Sequence, residues 1–182
     1  MRNSKINNIT VIGLFTAIMC ILGPLSIAIP ISPVPISFTN LAICFTALIL
    51  GWKKGTISYL VYLLIGFAGV PVFSSFTAGP GKLLGPTGGY LIGFIFLALI
   101  AGYFADRFPD KMHMIILGMI LGTVITYALG TGWLAYQANM SFKAALFAGV
   151  IPYIVGDVIK IIIAASIAPT IKKQAKKAGY LK

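Results

Sequence analysis

The chain has 182 residues, of which 59% are hydrophobic and only 9% are charged, and its formal net charge is +11. Soluble domains carry about 25% charged residues, so the composition excludes a soluble globular protein and indicates one membrane-embedded domain, residues 1–182. The positive charge does not predict nucleic-acid binding, because five of the fourteen Lys and Arg residues follow an apolar segment in the tail 172–182. Basic residues at such a position interact with the anionic lipid headgroups of a bilayer.

Six apolar segments are each predicted to form a membrane-spanning helix, since a span needs roughly 20 apolar residues. The expected fold is therefore an all-α polytopic membrane protein. The predicted spans are residues 9–29, 38–50, 56–68, 88–104, 114–136 and 149–171. The first span follows a basic N-terminus, as a secretory signal does, but its apolar run exceeds the roughly 7–15 residues of a signal core. We expect an uncleaved helix.

Two of the predicted connections have an unusual composition. Residues 30–38 hold three prolines and no charge, which predicts a stiff, extended loop. Residues 70–87 are too rich in Gly and Pro for a continuous helix, yet they stay apolar. A loop of this length and composition is predicted to fold as a lid.

The distribution of Lys and Arg predicts that both termini are cytoplasmic. With the N-terminus inside, eleven of the fourteen basic residues fall in cytoplasmic segments, whereas two, Lys82 and Lys143, fall outside. The count also favours an even number of spans. The lid segment, residues 70–87, is then extracellular.

The sixth span carries Asp157 and Lys160 in an otherwise apolar run. Their spacing of three places both on one helix face, roughly 5–6 Å apart at Cβ. Each charge costs on the order of 2.5–3.5 kcal/mol at mid-membrane, so the two form either a self-neutralising structural ion pair or a binding site. Counted from Pro152 at about 1.5 Å per residue, Asp157 lies roughly 7–8 Å and Lys160 about 12 Å below the outer surface. A site there would be reached from outside, under the lid.

The motif GPTGGYL, residues 85–91, predicts a turn that opens a helix. Thr87 can cap that helix, and the glycines allow close backbone approach. Free N–H groups at the helix N-terminus can meet an anion or a carbonyl. The alternative is a tight turn that packs its glycines against a neighbouring span.

Groups for catalysis or metal binding are scarce in this sequence. One His and three acidic residues, with no nucleophile–base pair, predict that the chain is not an enzyme and holds no metal or cofactor. The segment 79–82, GPGK, differs from a phosphate-binding loop because Leu83 replaces the Ser or Thr that should follow the lysine. The chain therefore has no predicted means of hydrolysing ATP.

Gly13 and Ala17 form a small-xxx-small face on the first span. Such a face allows helices to approach closely. It either packs within this bundle or docks another membrane protein.

Together these stretches resemble the BioY family, the biotin-specific substrate-binding (S) components of energy-coupling-factor (ECF) transporters. The resemblance rests on GPTGGYL at 85–91, GVPVF at 69–73, PVP at 33–35 and GVIP…GDVIK at 149–160. It implies a six-helix bundle in a prokaryotic plasma membrane that binds biotin from outside. The implied partners are a transmembrane coupling protein (the T component) and two ATPase subunits, which alone use ATP. In this family class the small-residue face of span one, here Gly13 and Ala17, contacts the coupling protein.

The resemblance also implies how biotin is held. Asp157 would accept from the ureido N–H groups, and Lys160 would face the carboxylate or the ureido oxygen. Because the two residues are close together, both can serve one end of biotin while backbone N–H groups near 87–89 serve the other. At position 39 this chain has Thr where the family often has Gln, so Asn40 is the expected polar contact of span two. The expected substrate-binding residues are Asn40, Phe73, Thr87, Gly88, Gly89, Tyr90, Tyr136, Asp157 and Lys160.

Two other functions fit parts of the pattern. A self-sufficient facilitator or proton-coupled carrier for a small vitamin would use Asp157 as its proton group. An intramembrane enzyme would need catalytic groups that the sequence does not offer.

Overall fold

The structure is a computed structural model that describes residues 4–30 and 32–181. Arg2, Lys182 and the side chain of Lys5, which the charge count places in the cytoplasm, lie outside the described residues. The elements are α1 (Ser4–Leu22), β1 (Ser26–Ile27), β2 (Ile36–Ser37), α2 (Thr39–Phe67), a 3-10 turn (Ser74–Phe76), α3 (Pro80–Leu84), α4 (Gly88–Arg107), α5 (Met112–Gln137), α6 (Phe142–Gly149) and α7 (Ile151–Lys177).

The first helix is shorter than predicted, and the expectation of helix to residue 29 is wrong beyond Leu22. Pro24, two residues after the helix, has no N–H with which to continue it. The chain then forms β1, which pairs antiparallel with β2 in the register Ser26↔Ser37 and Ile27↔Ile36. This short pair and an isolated antiparallel bridge between Phe73 and Thr77 depart from the expected all-α fold. Strand β2 lies in the loop predicted to be extended.

The predicted second and third spans are the two halves of α2. The helix is broken at Gly51, where φ is 78° and ψ is 177°, a region that is essentially restricted to glycine. A Cβ at Gly55 would lie 3.0 Å from the Cα of Ala47, although eight residues of continuous helix span about 12 Å. The two halves therefore fold back on each other as a helical hairpin. The corner is tighter than the connection left between the predicted spans 38–50 and 56–68, because residues 52–55 are helical.

The corner of the hairpin is held by a carboxylate from α4. Asp106 accepts the backbone N–H of Trp52 at 3.1 Å, and a Cβ at Gly51 would overlap its carboxyl group. Glycine is thus required at the corner by both its backbone conformation and its contact.

The later helices agree with the predicted spans, with two differences. Four helices, α2, α4, α5 and α7, are long and apolar enough to cross a membrane, and the apolar part of α1, Ile6–Leu22, is shorter. Helix α7 continues past the predicted end at residue 171. Helix α6 was not predicted. It begins where the Ser141 hydroxyl accepts from the backbone N–H of Ala144, which is a local capping interaction.

The helices pack as a bundle in which α2 contacts α1, α4 and α7, and α4 lies along α5. Large side chains such as Tyr59, Tyr62 and Met119 fill its core. The hairpin corner, the 105–112 turn and the end of α7 meet at one end of the bundle, where Lys172 and Asp106 are 3.4 Å apart. The β1–β2 pair, the lid segment and the start of α7 lie at the other end.

Candidate functional site

The two charged residues of α7 form an ion pair inside the bundle. Lys160 Nζ lies 3.0 Å from Asp157 Oδ1, and the side chains of Lys160 and Asp157 are only 12% and 10% exposed. The i,i+3 spacing brings the groups together on one face of the helix, as the sequence predicts. An ion pair this poorly hydrated requires further polar partners.

Two other elements supply those partners. The Tyr127 hydroxyl of α5 donates to Asp157 Oδ2 at 2.6 Å, and Lys160 Nζ donates to the backbone carbonyl of Ser37 at 2.8 Å. The pair thus joins α7 to α5 on one side and to β2 on the other.

The ion pair lies in the wall of a cleft that holds about 620 Å³ of space, including its open mouth. Charged, amide and hydroxyl groups line one part of it, and aromatic and aliphatic side chains line the rest. The lining residues are Val34, Pro35, Ser37, Thr39, Asn40, Ser74, Thr87, Tyr90, Leu91, Phe94, Thr126, Tyr127, Gly149, Tyr153, Asp157 and Lys160. Such a surface suits a ligand that is largely apolar with a few hydrogen-bonding groups.

The rim of the cleft is attached to α7 by a tyrosine. The Tyr153 hydroxyl donates to Ser32 Oγ at 2.8 Å and contacts the carbonyl of Val34. The Tyr90 hydroxyl donates to the carbonyl of Gly149 at 3.1 Å and so ties α4 to the end of α6. These bonds fix the loop before α2 and the connection before α7 around the same opening.

Five of the nine predicted substrate-binding residues line this cleft, namely Asn40, Thr87, Tyr90, Asp157 and Lys160. They come from α2, the α3–α4 turn, α4 and α7. Thr39 lines it as well. Thr87 occupies the N-cap position of α4, as predicted, but its side chain forms no cap hydrogen bond there.

The structure places the other four predicted residues outside the cleft walls. Phe73 is fully buried and packs its ring against Gly66 and Tyr62. Tyr136 is 78% exposed, with its ring centroid 6.4 Å from that of Trp133.

Gly88 and Gly89 serve close packing of the chain. A Cβ at Gly88 would overlap the carbonyl oxygen of Leu83, and one at Gly89 would overlap the side chain of Trp133. For these two glycines the geometry favours the tight-turn alternative, in which they let α3 and α5 approach α4.

The lid segment is folded and bonded to its surroundings at both ends. The Ser75 N–H donates to Ser26 Oγ of β1 at 2.8 Å. Near the other end, Trp133 Nε1 donates to the carbonyl of Gly85 at 2.8 Å. Lys82, which the charge count places outside, is half-buried in α3, and this burial lowers the pKa of its ammonium group.

Several aromatic and hydroxyl side chains of the cleft were not predicted from the sequence. Tyr153 precedes Asp157 by four residues on α7, so the spacing that pairs Asp157 with Lys160 could have placed it on the same face. Tyr127, Phe94 and Thr126 come from other helices, and an apolar span carries no local signal for the direction of one ring or hydroxyl.

The small-residue face of α1 points away from the bundle. Gly13 and Ala17 are both exposed, and a Cβ at Gly13 would have no described atom within 4 Å. Among the described residues, this face is therefore not packed within the bundle.

Comparison with known proteins extends over nearly the whole chain. The sequence model of the BioY family matches residues 1–177. The biotin transporter BioY of Thermotoga maritima is 37% identical over 161 residues, covering 88% of this chain and 93% of that protein. The biotin transporter BioY2 of Lactococcus lactis subsp. cremoris is 34% identical over 163 residues, covering 90% and 88%.

Two solved structures share the fold. The crystal structure of the S-component for biotin from an ECF-type ABC transporter superposes with a TM-score of 0.88 at 31% identity, covering 95% of this chain and 94% of that one. The crystal structure of FolT bound with folic acid gives a TM-score of 0.60 at 22% identity, which is a likeness of fold alone.

Proposed function

The chain belongs to the BioY family, and from that premise we propose that it captures biotin as the substrate-specific membrane subunit of an ECF-type uptake transporter. The family consists of transporter components, so the chain is a multi-pass membrane protein and not an enzyme. The observation that carries the proposal is the partly buried Asp157–Lys160 pair in the wall of a mostly apolar cleft. Biotin has the matching character, with a ureido ring, an apolar sulfur ring and chain, and a carboxylate.

The bonding capacity of the pair suits the ureido end of biotin. Each oxygen of Asp157 accepts one described hydrogen bond, and a carboxylate has about four acceptor positions. Lys160 uses two of its three N–H donors, on Asp157 and Ser37. Asp157 can therefore accept from the ureido N–H groups while Lys160 donates to the ureido oxygen.

The same pair is poorly suited to hold the biotin carboxylate. Asp157 and Lys160 are 3.0 Å apart and carry no net charge together, so they offer little compensation for a second buried anion. We propose that the carboxylate lies toward the polar groups of Asn40 and Thr87, which line the cleft beside Tyr90.

The proposed orientation has six spans and two cytoplasmic termini. The two halves of the α2 hairpin supply spans two and three, with α1, α4, α5 and α7 as the others. The basic end of the bundle, with Lys172 near Asp106, then faces the cytoplasm of a prokaryotic cell. The lid segment and the cleft opening face outside.

Transport in this proposal needs a T component and two ATPase subunits, which bind and hydrolyse ATP. The exposed Gly13 and Ala17 of α1 form the proposed contact with the T component. Small residues at such positions allow two membrane helices to approach closely.

A ligand-depletion screen tests the proposed substrate. The purified chain, without partner subunits, is incubated with a mixture of water-soluble vitamins, and the free concentrations are then measured. We expect saturable depletion of biotin at one site per chain. Depletion of another vitamin, with biotin untouched, would contradict the proposal.

Uptake into proteoliposomes separates this function from a self-sufficient carrier. With the chain alone we expect binding but no accumulation of biotin, with or without a pH gradient. Accumulation driven by a pH gradient would instead favour a proton-coupled carrier, in which the Tyr127–Asp157 hydrogen bond marks the proton site.

A further inference from the structure

A second, larger cavity lies on the flank of the bundle, away from the biotin cleft. It is an apolar groove of about 1170 Å³ between α1, the first half of α2 and α7. Side chains such as Leu14, Ile18, Phe45, Ile167 and Ile171 form its walls. It shares no lining residue with the cleft. The groove is therefore a surface separate from the cleft.

The groove continues into a basic pocket at the end of the bundle that holds the hairpin corner. This pocket, of about 550 Å³, shares Ile49 and Leu181 with the groove. Three lysines line it, namely Lys54, Lys172 and Lys176. One continuous surface thus changes from apolar to cationic along its length.

The positive charge of the basic pocket exceeds what its acidic residue balances. Asp106 is the one acidic residue among the pocket's lining residues, and its carboxylate already accepts from the Trp52 N–H at 3.1 Å and from Lys172 at 3.4 Å. Two lysines, Lys54 and Lys176, add charge that this carboxylate does not balance. An anion is the complementary partner.

The last described residues fold back against α1 beside the groove. The Asn7 side chain of α1 donates to the carbonyl of Gly179 at 3.2 Å, and the Leu181 N–H bonds back to the carbonyl of Ala175. The chain after α7 is thereby folded against α1, and Leu181 lines both the apolar groove and the basic pocket where the two meet. The groove and the basic pocket are therefore neighbouring parts of one surface.

We propose that this surface binds one anionic phospholipid of the cytoplasmic leaflet, with an acyl chain in the groove and the phosphate among Lys54, Lys172 and Lys176. A phospholipid has the required order of polarity, an apolar chain joined to an anionic headgroup. Basic pockets at the cytoplasmic side of membrane helices bind such headgroups. An apolar partner helix would fill the groove but leave the lysines without an anion.

Native mass spectrometry of the full chain tests the headgroup contact. Phosphatidylglycerol or phosphatidylcholine with identical acyl chains is added to the purified protein, and bound lipid is counted. We expect one retained phosphatidylglycerol and at least about tenfold weaker retention of phosphatidylcholine. The double variant Lys172→Gln/Lys176→Gln should lose this preference. The matched control Lys173→Gln/Lys177→Gln changes two exposed lysines of the same helix that do not line the pocket, and should keep it.

A second pair of variants tests the groove. Leu14→Trp places a bulky ring in the groove, whereas Ile21→Trp places one on the exposed part of α1 outside the lining. We expect the first to reduce retention of phosphatidylglycerol several-fold and the second to leave it unchanged. Biotin binding should persist in all four variants, since no residue of the cleft is altered, and it serves as the check on folding.

Several results would overturn the lipid proposal without affecting the biotin proposal. Equal retention of both lipids by the unaltered chain would indicate ordinary bilayer contact. Loss of preference in the control double variant as well would indicate diffuse attraction to the tail. A Leu14→Trp variant that retains the lipid fully would exclude the groove. A Leu14→Cys variant that cross-links to a partner subunit, with no lipid retained, would assign the groove to a protein helix.

Discussion

Replacing both members of the Asp157–Lys160 pair should destabilise the protein by less than the sum of the two single replacements. At 3.0 Å and an effective dielectric constant of about 20, two unit charges attract by roughly 5–6 kcal/mol. Desolvation offsets most of this gain, but removal of one partner leaves the other charge poorly hydrated, at a cost of about 3–5 kcal/mol. Asp157→Asn and Lys160→Met alone should therefore each lower the free energy of unfolding by about 3 kcal/mol.

The double variant Asp157→Asn/Lys160→Met removes both charges and should be less destabilised than the sum of the single variants. We expect a coupling energy of about 2–4 kcal/mol. The assay is unfolding by denaturing detergent in mixed micelles, followed by circular dichroism without biotin. Additivity of the single losses within about 0.5 kcal/mol would refute the reasoning, because it would mean that solvent or other groups compensate each charge separately.

Three further substitutions test the hairpin, the partner face and the site. Gly51→Ala should lower the free energy of unfolding by about 2–3 kcal/mol, because only glycine adopts this backbone conformation readily and an alanine Cβ would overlap the Asp106 carboxylate. The control Gly132→Ala, in open space on α5, should be neutral or stabilising. Equal losses in the two variants would contradict the corner geometry. Ala17→Trp should block co-purification with the partner subunits while biotin binding persists. The control Ala128→Trp, on the exposed face of α5, should leave co-purification intact. Loss of biotin binding in Ala17→Trp would show that residue 17 packs inside the bundle. Tyr127→Phe removes the 2.6 Å bond to Asp157 and should weaken biotin binding about tenfold, and unchanged affinity in calorimetry would exclude a positioning role.

The charged residues of α7 were predictable because their cause is local. Asp157 and Lys160 stand out in an apolar helix, and a spacing of three fixes their common face. Their bonds to Tyr127 and to the Ser37 carbonyl join residues about 30 and 120 positions away in sequence. Such contacts follow from how the helices pack, which hydropathy does not encode.

The helical hairpin was likewise predictable only in the part that has a local cause. The apolar pattern separates spans two and three, and the glycine and lysines between them predict a turn. The break is confined to Gly51, because Asp106 of α4 accepts the next N–H and stabilises a corner without a loop. The partner that makes so short a corner possible lies 54 residues later.

The apolar pattern predicted the wrong end for span one, and it could not predict which way the aromatic side chains point. Residues 23–29 are as apolar as a helix, but the chain leaves the helix after Leu22 and pairs as β1 with β2. Phe73 and Tyr136 both suit a ligand wall by composition. Packing buries the first against Gly66 and leaves the second exposed beside Trp133.

Equilibrium binding of labelled biotin to the purified chain tests the central claim most directly. The variants are Asp157→Ala and Lys160→Ala, with the exposed residues Asp110→Ala and Lys143→Ala as matched controls. The proposed biotin site predicts saturable binding to the unaltered chain and both controls, and a loss of about 100-fold or more in each site variant, since truncating one partner of a buried charged pair costs about 2–5 kcal/mol. Unchanged affinity in both site variants would contradict it.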